Sequence, residues 1–382
     1  MTLTMTDIAA PLTTTDILQV AFPALNATSV PAASGAHPVH VIQQGTEPRW
    51  IIIGDPHKAV AILRSWRPWD PGSRLRWRAV VVAAAIKLLP RLPGVQNSIA
   101  HLDSSYWRRS LPGFPANWNA VIHVGHRSRT RKAIAFFYAE GQPVKFVAKV
   151  PLAPGAAGAI SNEAAILLRM KEFNYLPRVL FQDSARGIAV HTWLDGEPVS
   201  RGFRKAHVDL LTTLANQGSS IRVSDFQAEV AEQLDRLDLP FDRSLLTHCL
   251  ELLNYDEPLQ QFVEHRDFAP WNLKWLADGK LGLIDWEWSV SNSLPWQDAC
   301  RFFYLDDVFF NGRGKVWETI TSNPLLLNYR RKFAIPSAAL PALTMHYLLR
   351  VLCMDWQSGN ERLALYTFGQ IKSLFSSLPA PR

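Results

Sequence analysis

Cysteine is scarce in this sequence, and its spacing excludes a cysteine-based metal site. The 382 residues contain only Cys249, Cys300 and Cys353. These residues lie far apart, and none belongs to a CxxC or Cys/His cluster of the kind that binds zinc. We therefore expect the three thiols to be reduced and to have a structural role.

Long apolar runs are also missing. The N-terminal residues lack the basic region followed by an apolar stretch that a signal peptide needs, and no apolar run reaches the roughly 20 residues required to span a bilayer. The longest candidate, Ala79 to Leu89, is interrupted by Lys87 and closed by Pro90, which predicts a buried or interfacial helix. We expect a cytoplasmic protein.

Acidic residues are rare in one window of an otherwise balanced chain. Between Ile62 and Ser110 there are nine Lys/Arg and only two acids, a surplus equal to the whole net charge of +7. Basic stretches favour anionic partners, whereas arginine stems also cover apolar surface in ordinary proteins. The window lacks a recognised nucleic-acid-binding module, so no nucleic-acid partner is expected.

The remaining composition predicts a globular chain of two or three compact units, because 48% of the residues are apolar. Residues 1–36, rich in Thr, Ala and Pro, are predicted to be a disordered tail with at most one short helix near Asp16 to Val20. Residues 37–110 contain the strand-like runs HVIQQ and RWIII and two helical segments. They form a basic N-terminal extension whose role the sequence does not indicate.

Two further units follow the extension. Residues 111–195 contain the strand-like runs AVIHVG, AIAFFYA and VKFVAKV, the helical NEAAILLRMKEF, and then PRVLFQ and GIAVHTWL. Residues 196–382 are mostly helical, with strand-like pieces only around Leu273 to Trp286. This order predicts an α+β, two-lobed protein-kinase-like fold, with a small antiparallel β lobe that carries one helix and a larger α-rich lobe.

The segment His265-Arg266-Asp267-Phe268-Ala269-Pro270-Trp271-Asn272 matches the kinase catalytic-loop pattern H-R-D-x-x-x-x-N at every defined position. Phosphoryl transfer needs a carboxylate that orients the attacking hydroxyl and accepts its proton, and an amide oxygen that holds a metal on the phosphates. Asp267 fits the first role and Asn272 the second, with His265 supporting them.

A second metal ligand is predicted thirteen residues after Asn272. There the apolar strand LGLI ends at Asp285, within the segment IDWE. Magnesium prefers oxygen ligands and shares its coordination with substrate phosphates, so one amide and one or two carboxylates suffice. Glu287 is an auxiliary candidate.

Upstream, Lys149 lies in a strand, FVAKV, that resembles the V-A-I-K strand whose lysine contacts the α- and β-phosphates. Glu163 is the only acid between Pro151 and Met170, and it is predicted to be the helix partner of Lys149. The preceding hairpin should cover the phosphates. Only Gly125 is available there to bring backbone close to a phosphate, so Ser128 is expected to add direct hydrogen bonds.

These motifs resemble the aminoglycoside phosphotransferase and choline kinase-like family of the protein-kinase-like superfamily, over roughly Asn117 to Arg382. The resemblance is carried by HRDFAPWN, by IDWE and by the Pro-Trp-Gln-Asp that ends at Asp298. It implies ATP and Mg²⁺ as cofactors, Asp298 as a support of the catalytic loop, and an adenine site at Thr192 and Leu194. This family usually has glycine where Arg266 stands, and its core has no counterpart of residues 37–110.

The function expected is transfer of the γ-phosphoryl group of ATP to a hydroxyl of a small molecule, such as a sugar, glycoside, amino alcohol or aminoglycoside-like compound. A nucleotide-binding pseudokinase is the first alternative, although such proteins normally lack the lysine, the base or a metal ligand. A kinase with a protein or lipid-linked acceptor is the second. Against a protein acceptor, the text after Ile284 reads DWEWS and not D-F-G, and no A-P-E motif follows.

The segment Ser73 to Arg91 raises one further expectation. Its helix begins among Arg74, Arg76 and Arg78, and its nearly continuous apolar run predicts that one side packs on the lobes and leaves only flanking cations free. Such a helix either makes a peripheral contact with an anionic membrane surface or acceptor, or braces the small lobe. The sequence does not distinguish these roles, nor does it indicate an oligomeric state.

Overall fold

The computed structural model describes residues 11–23, 34–65, 71–139, 141–200, 202–312 and 314–378. The chain forms two compact units. The first comprises residues up to Pro198 together with Leu283–Glu287, and the second comprises Val199–Gly282 and Trp288 onward. Among the described residues, no helix combines the length and the apolar character needed to cross a membrane.

The first unit is built on an eight-stranded antiparallel sheet in the order β3-β1-β2-β4-β5-β6-β8-β7. Its elements, in chain order, are α1 (Thr14–Ala21), β1 (Ser34–Gln44), β2 (Glu47–Ile53), α2 (Val60–Ser65), α3 (Pro71–Ala85), β3 (Val95–Asp103), α4 (Ser105–Ser110), β4 (Trp118–Val124), β5 (Lys132–Ala139), β6 (Val144–Pro151), α5 (Ala156–Arg169), β7 (Val179–Asp183), β8 (Ile188–His191) and the two-residue β9 (Glu197–Pro198).

The strands of the N-terminal extension continue the sheet of the predicted small lobe. Ile52 of β2 pairs with Val121 of β4, which pairs with Phe136 of β5, which pairs with Val147 of β6. Because side chains alternate between the faces of a strand, these four residues share one face, where they are buried in one core. A second core covers the opposite face. Residues 37–110 therefore share both cores with the strands that follow them.

Part of the segment predicted to be a tail is a packed helix. Thr13 caps α1 by accepting a hydrogen bond from the Asp16 N–H, and its own N–H donates to the Asp16 carboxylate, which is a capping box. Ile17 and Leu18 are buried in the second core, and Trp107 donates to the Ala21 carbonyl at 2.9 Å. The short helix predicted near Asp16 to Val20 is therefore confirmed, with bounds at Thr14 and Ala21.

The second unit is mainly helical. Its elements are α6 (Lys205–Thr213), β10 (Ala215–Ile221), α7 (Gln227–Asp235), α8 (Arg243–Glu251), β11 (Leu259–Glu264), β12 (Leu273–Trp275), β13 (Leu281–Leu283), β14 (Val290–Ser293), α9 (Gln297–Asp306), a π-helical turn (Asp307–Asn311), α10 (Val316–Ser322), α11 (Pro324–Lys332), α12 (Ala339–Gln357) and α13 (Glu361–Ser377).

Strands β10, β11 and β14 form a three-stranded sheet that lies outside the region around Leu273 to Trp286, where strands were predicted. The prediction missed these strands because β10 reads ANQGSSI and β14 reads VSNS, so neither shows apolar alternation. Strand β11 ends at Glu264 and delivers the chain directly into the segment that begins at His265.

Glu47, the first residue of β2, holds the loop between β4 and β5 through two arginines. Its carboxylate accepts from Arg127 at 2.9 Å and from Arg131 at 3.3 Å. The Arg131 side chain is buried, and its Nε donates to the Gly125 carbonyl at 3.2 Å. Burial would raise the pKa of Glu47, but the two guanidinium groups outweigh it and lower the pKa. One carboxylate of the extension thus sets the shape of loop 125–131.

We expect Glu47→Gln to loosen this loop, because a neutral amide cannot pair with two guanidinium groups and the buried Arg131 would lose its counter-charge. Backbone amides of residues 125–131 should exchange with solvent several times faster in hydrogen-exchange mass spectrometry. Exchange at β6 should change little. The exposed Glu172→Gln serves as the control, and equal protection of the loop in both variants would show that Glu47 does not hold it.

A buried ion pair ties the end of β11 to α12. Glu264 is only 2% exposed, and it accepts from Arg350 at 2.9 Å and from the Ser293 hydroxyl at 2.6 Å. Burial alone would raise the pKa of Glu264, but the charge of Arg350 overcomes this effect and lowers the pKa to about 2. The carboxylate is therefore ionised in the interior and depends on its partners.

Arg350→Met should reduce the free energy of unfolding by about 3–5 kcal/mol, because it leaves an ionised carboxylate buried without its counter-charge. Chemical denaturation measures the loss. Combining it with Glu264→Gln should recover part of the loss, since no charge then stays buried. Arg236→Met, which removes an exposed pair with Glu232, should have a much smaller effect. Equal losses in the two arginine variants would contradict this account.

Candidate active site

Lys149 lies at the centre of a buried charged cluster in the first unit. Strand β6 directs its amine towards α5, where Nζ lies 2.6 Å from a Glu163 carboxylate oxygen, and also 2.6 Å from Oδ1 of Asp285. Glu163 accepts in addition from the Trp286 N–H at 3.3 Å. The structure thus brings together the predicted lysine, its predicted helix partner and one predicted metal ligand.

The opposite charges in this cluster stabilise one another's ionised forms. Burial would lower the pKa of Lys149, but the carboxylates of Asp285, Glu163 and Glu287 outweigh it and raise the pKa above its ordinary value. Burial would likewise raise the pKa of Asp285, but Lys132 and Lys149 lower it instead. Both Lys149 and Asp285 are therefore charged at neutral pH.

Lys132 is a second lysine of this cluster, and the sequence analysis did not identify it. It is the first residue of β5, is almost fully buried, and places Nζ 3.0 Å from Oδ1 of Asp285. Its amine also donates to the Glu287 carboxylate. The alternation of side chains along β5 could have indicated this residue. Ile134 pairs with Lys149 across the sheet, so Lys132, two residues earlier, lies on the same face as both.

Glu287 and the backbone of Asp285 complete this arrangement. Burial, reinforced by the charge of Asp285, raises the pKa of Glu287. Asn162 of α5 donates to the Glu287 carbonyl at 3.0 Å. Asp285 has φ of 68°, a left-handed conformation that is costly for a residue with a side chain and that clusters at functional sites.

Gly125 and Ser128 lie in loop 125–131, which Glu47 holds. The Gly125 N–H donates to the Lys132 carbonyl at 2.9 Å, and a Cβ at this position would lie 3.1 Å from that same oxygen. A side chain here would force the backbone to shift by a few tenths of an ångström, so glycine favours the close approach of the loop to Lys132. Ser128 is exposed, and its carbonyl accepts from the Arg131 N–H at 3.2 Å.

Thr192 and Leu194 follow β8, and both are half-buried. The Thr192 N–H donates to the Arg178 carbonyl at 2.8 Å, and its hydroxyl accepts from the Arg178 N–H at 2.9 Å. The Thr192 N–H and hydroxyl are therefore both hydrogen-bonded to Arg178 within the unit.

In the second unit, the Asp267 carboxylate is held at both oxygens. Asn272 donates from Nδ2 to Oδ2 at 2.7 Å, and Arg301 of α9 donates to Oδ1 at 3.0 Å. Because Asn272 donates through its nitrogen, its amide oxygen is the atom that could bind a metal. Sequence reasoning did not identify Arg301, which lies 34 residues from Asp267 and outside the motif.

Asp298 organises the loop that carries Asp267. Its two carboxylate oxygens accept from the N–H groups of His265 at 2.8 Å and Arg266 at 2.9 Å. Burial and the nearby Glu264 raise the pKa of Asp298 to about 7, against the opposing effect of these two donors. The His265 ring in turn accepts from the Asp267 N–H at 3.2 Å.

Arg266 has φ of 66°, a left-handed conformation that glycine adopts readily. This explains why glycine suits the position. Here the Asp298 contact to its N–H and a 3.5 Å approach of its Nε to Glu264 hold the arginine in that conformation.

The donor types match magnesium better than zinc. Asp285, Glu287 and Asn272 offer hard oxygen atoms, which magnesium prefers. Among the described residues, no three or more His, Cys, Asp or Glu side chains converge as metal ligands.

Comparison with known proteins links this arrangement to one family. Residues 135–307 match the model of the phosphotransferase enzyme family (APH). Among curated proteins, the search returned no match.

Several solved structures resemble the chain at low identity. Choline kinase LicA from Streptococcus pneumoniae shows 13% identity and a TM-score of 0.48 over 66% of this chain and 92% of its own. A thermostable mutant of aminoglycoside phosphotransferase APH(4)-Ia shows 13% identity and a TM-score of 0.46, over 68% and 95%. Macrolide 2'-phosphotransferase MphH from Brachybacterium faecium shows 14% identity and a TM-score of 0.43, over 68% and 92%.

The fold class predicted from the sequence is confirmed: an α+β, kinase-like chain has an antiparallel sheet unit and a mainly helical unit. The matched segment contains Lys149, Glu163, Asp267, Asn272 and Asp285. The predicted resemblance to the aminoglycoside phosphotransferase and choline kinase-like family is therefore confirmed over residues 135–307, and the chain is a phosphotransferase that acts on hydroxyl acceptors.

Proposed function

We propose that this protein transfers the γ-phosphoryl group of ATP, with Mg²⁺, to a hydroxyl of a small molecule. The observation that carries the proposal is the buried cluster in which Lys149 contacts both Glu163 and Asp285. Lys132, Lys149 and Glu163 are buried, with the partly exposed Asp285 and Glu287 beside them, and a structural role alone would not require so many charges there, because burying charges costs free energy. Such clusters of perturbed groups are typical of functional sites.

The residues of the first unit bind the nucleotide. Lys149, aimed by Glu163, contacts the α- and β-phosphates, and Lys132 adds a second cation beside it. Loop 125–131 covers the phosphates, with Gly125 permitting its close approach and Ser128 contributing a hydroxyl. The adenine lies against the segment that contains Thr192 and Leu194.

Asp285, with Glu287 as an auxiliary, and Asn272 supply the oxygen ligands of magnesium. When bound, the ion neutralises the phosphate charge and polarises the transferring group. Lys132 and Lys149 also contact the Asp285 carboxylate, so this one carboxylate would pair with both lysines and the metal.

Asp267 acts as the base. The acceptor oxygen forms a bond to the γ-phosphorus, the bond between that phosphorus and the bridging oxygen of ADP breaks, and the hydroxyl proton passes to Asp267. Arg301 and Asn272 hold the carboxylate in one orientation, while Asp298 fixes the loop backbone, so the base is positioned before the acceptor binds.

The acceptor is proposed to be a sugar, glycoside or amino alcohol. A polycationic aminoglycoside would require an acidic pocket, and two acids of the second unit, Asp242 and Asp307, have structural roles instead. Asp242 caps α8 by accepting from the Leu245 N–H, and Asp307 accepts from the Gly314 N–H and the Tyr366 hydroxyl. Trp286 and Trp296 are buried and contribute to packing, whereas Trp271 lies half-buried beside Asp267, next to Phe309.

Asp267→Asn should lower turnover by about a hundredfold or more while ATP binding changes little, because the amide keeps the size of the side chain but cannot accept the proton. Thermal stability should fall, because Arg301 loses its counter-charge. Screening sugars, amino alcohols and antibiotics for phosphorylation identifies the acceptor on which turnover is measured. Unchanged turnover in the folded variant would remove Asp267 from the role of base. Absence of transfer to any acceptor, with nucleotide still bound, would favour the pseudokinase alternative.

Asp285→Ala should weaken nucleotide binding only in the presence of magnesium. With magnesium, ATP affinity should fall by about tenfold or more, because an oxygen ligand is lost. Without magnesium, affinity should be unchanged or higher, because Lys132 and Lys149 no longer pair with that carboxylate.

Asn272→Ala should weaken only the magnesium-dependent binding. Calorimetry under both conditions measures these effects, with the exposed Asp278→Ala as the control. Equal ATP affinity for wild type and both ligand variants in magnesium would show that the assigned metal ligands are wrong.

A further inference from the structure

Helix α3 turns an apolar stripe towards solvent. Leu75 and Val82 of this helix are 72% and 57% exposed, and Ile86, which follows its last residue, is 59% exposed. Residues spaced by seven and four positions share one face of a helix, and Ala79, also exposed, lies between them on that face. The solvent-exposed face of a helix is normally polar. This apolar stripe therefore indicates a surface that a membrane or a partner protein covers.

The opposite side of α3 is firmly anchored. Ala83 and Ala84 are buried in the core that contains Val121 and Phe136. Trp77 packs against Trp50 with ring centroids 5.0 Å apart, and its Nε1 donates to the Leu63 carbonyl at 3.0 Å. The exposed stripe is therefore not a face that the helix could turn inward. The prediction that only flanking cations would stay free is wrong, because Leu75, Val82 and Ile86 are exposed as well.

Cations flank the stripe along the chain. Arg76 and Arg78 are exposed near the start of α3, and Lys87 and Arg91 are exposed just beyond its end. Arg74, which the sequence analysis grouped with them, lies outside the side chains that the structure describes. No Asp or Glu occurs from Pro71 to Leu102. The surface thus combines apolar side chains with exposed cations at both ends of the helix.

We propose that this face of α3 docks on the headgroup layer of a bilayer that contains anionic lipids. An exposed apolar stripe with flanking Lys and Arg is the pattern of helices that lie in the interfacial plane, with the stripe inserted among the acyl chain ends and the cations among the lipid phosphates. Charge complementarity selects this occupant over a neutral one. The proposal is independent of the proposed activity.

The contact is peripheral. Helix α3 spans 15 residues, fewer than the roughly 20 that cross a bilayer, and its other face is committed to the protein core. Binding should therefore depend on both contributions. Each cation near an anionic surface strengthens binding by about fivefold at low salt, and this part is lost as salt rises.

The test is co-sedimentation of the full chain with vesicles of phosphatidylcholine alone or mixed with phosphatidylserine. Wild-type protein should bind the mixed vesicles in a salt-dependent manner and bind pure phosphatidylcholine at least tenfold more weakly. Arg76→Gln with Arg78→Gln should reduce binding by about twenty-fivefold, because two cations are lost. Val82→Gln with Ile86→Gln should reduce binding at every salt concentration, because the inserted side chains are replaced.

Matched controls lie on α5, at Leu168 and Arg169, which are both exposed. Leu168→Gln and Arg169→Gln should leave vesicle binding unchanged. Because all substituted residues are at the surface, the melting temperature should stay close to that of wild type in each variant.

Three outcomes would overturn the proposal. The first is absence of binding to phosphatidylserine vesicles, and the second is binding that the α3 variants do not alter. The third is a wild-type oligomer that Val82→Gln with Ile86→Gln converts to a monomer without any vesicle binding, which would identify the face as a contact between copies of the chain.

Discussion

The interior of the first unit contains two lysines, and their charges impose a condition on the rest of the chain. A buried ammonium group is tolerated only where carboxylates neutralise it and satisfy its hydrogen bonds. Lys149 obtains one such carboxylate from α5 of its own unit. The others, Asp285 and Glu287, come from a segment more than a hundred residues later, and Leu283–Glu287 accordingly belongs to the first unit although the chain on either side belongs to the second. The pairing of buried charge thus explains why Leu283–Glu287 belongs to the first unit.

The same condition separates what the sequence could predict from what it could not. Lys149, Glu163, Asp267 and Asp285 were identifiable because phosphoryl transfer requires these residue types in a set order along strands, a helix and a loop. No motif of this kind includes the positions of Lys132 and Arg301. Each acts through a contact with a residue distant in sequence, and a lysine in KAIAFFYA or an arginine in QDACRFFYLD has no local sign of its partner.

The role of Glu47 was hidden for a related reason. It lies 84 residues from Arg131, and the contact exists only because β2 pairs with β4. Secondary structure near Glu47 was predicted correctly as a strand, since RWIII is rich in β-branched residues. The pairing of that strand could not be read from its pattern, because every apolar strand of this sheet would satisfy the same alternation. Local propensity predicts elements, while their neighbours are decided by which faces can be buried together.

The family match begins and ends inside the compact units of this protein. The matched segment starts at residue 135, which lies inside β5, and it leaves out β1 to β4 on one side and α10 to α13 on the other. The segment that the family model matches is therefore shorter than the two compact units of the chain. A fragment trimmed to the match would begin partway along a central strand and would leave the edge of β5 without its β4 partner. Unpaired apolar edges of this kind promote association between chains, so such a fragment would be prone to aggregate whatever its catalytic residues could do.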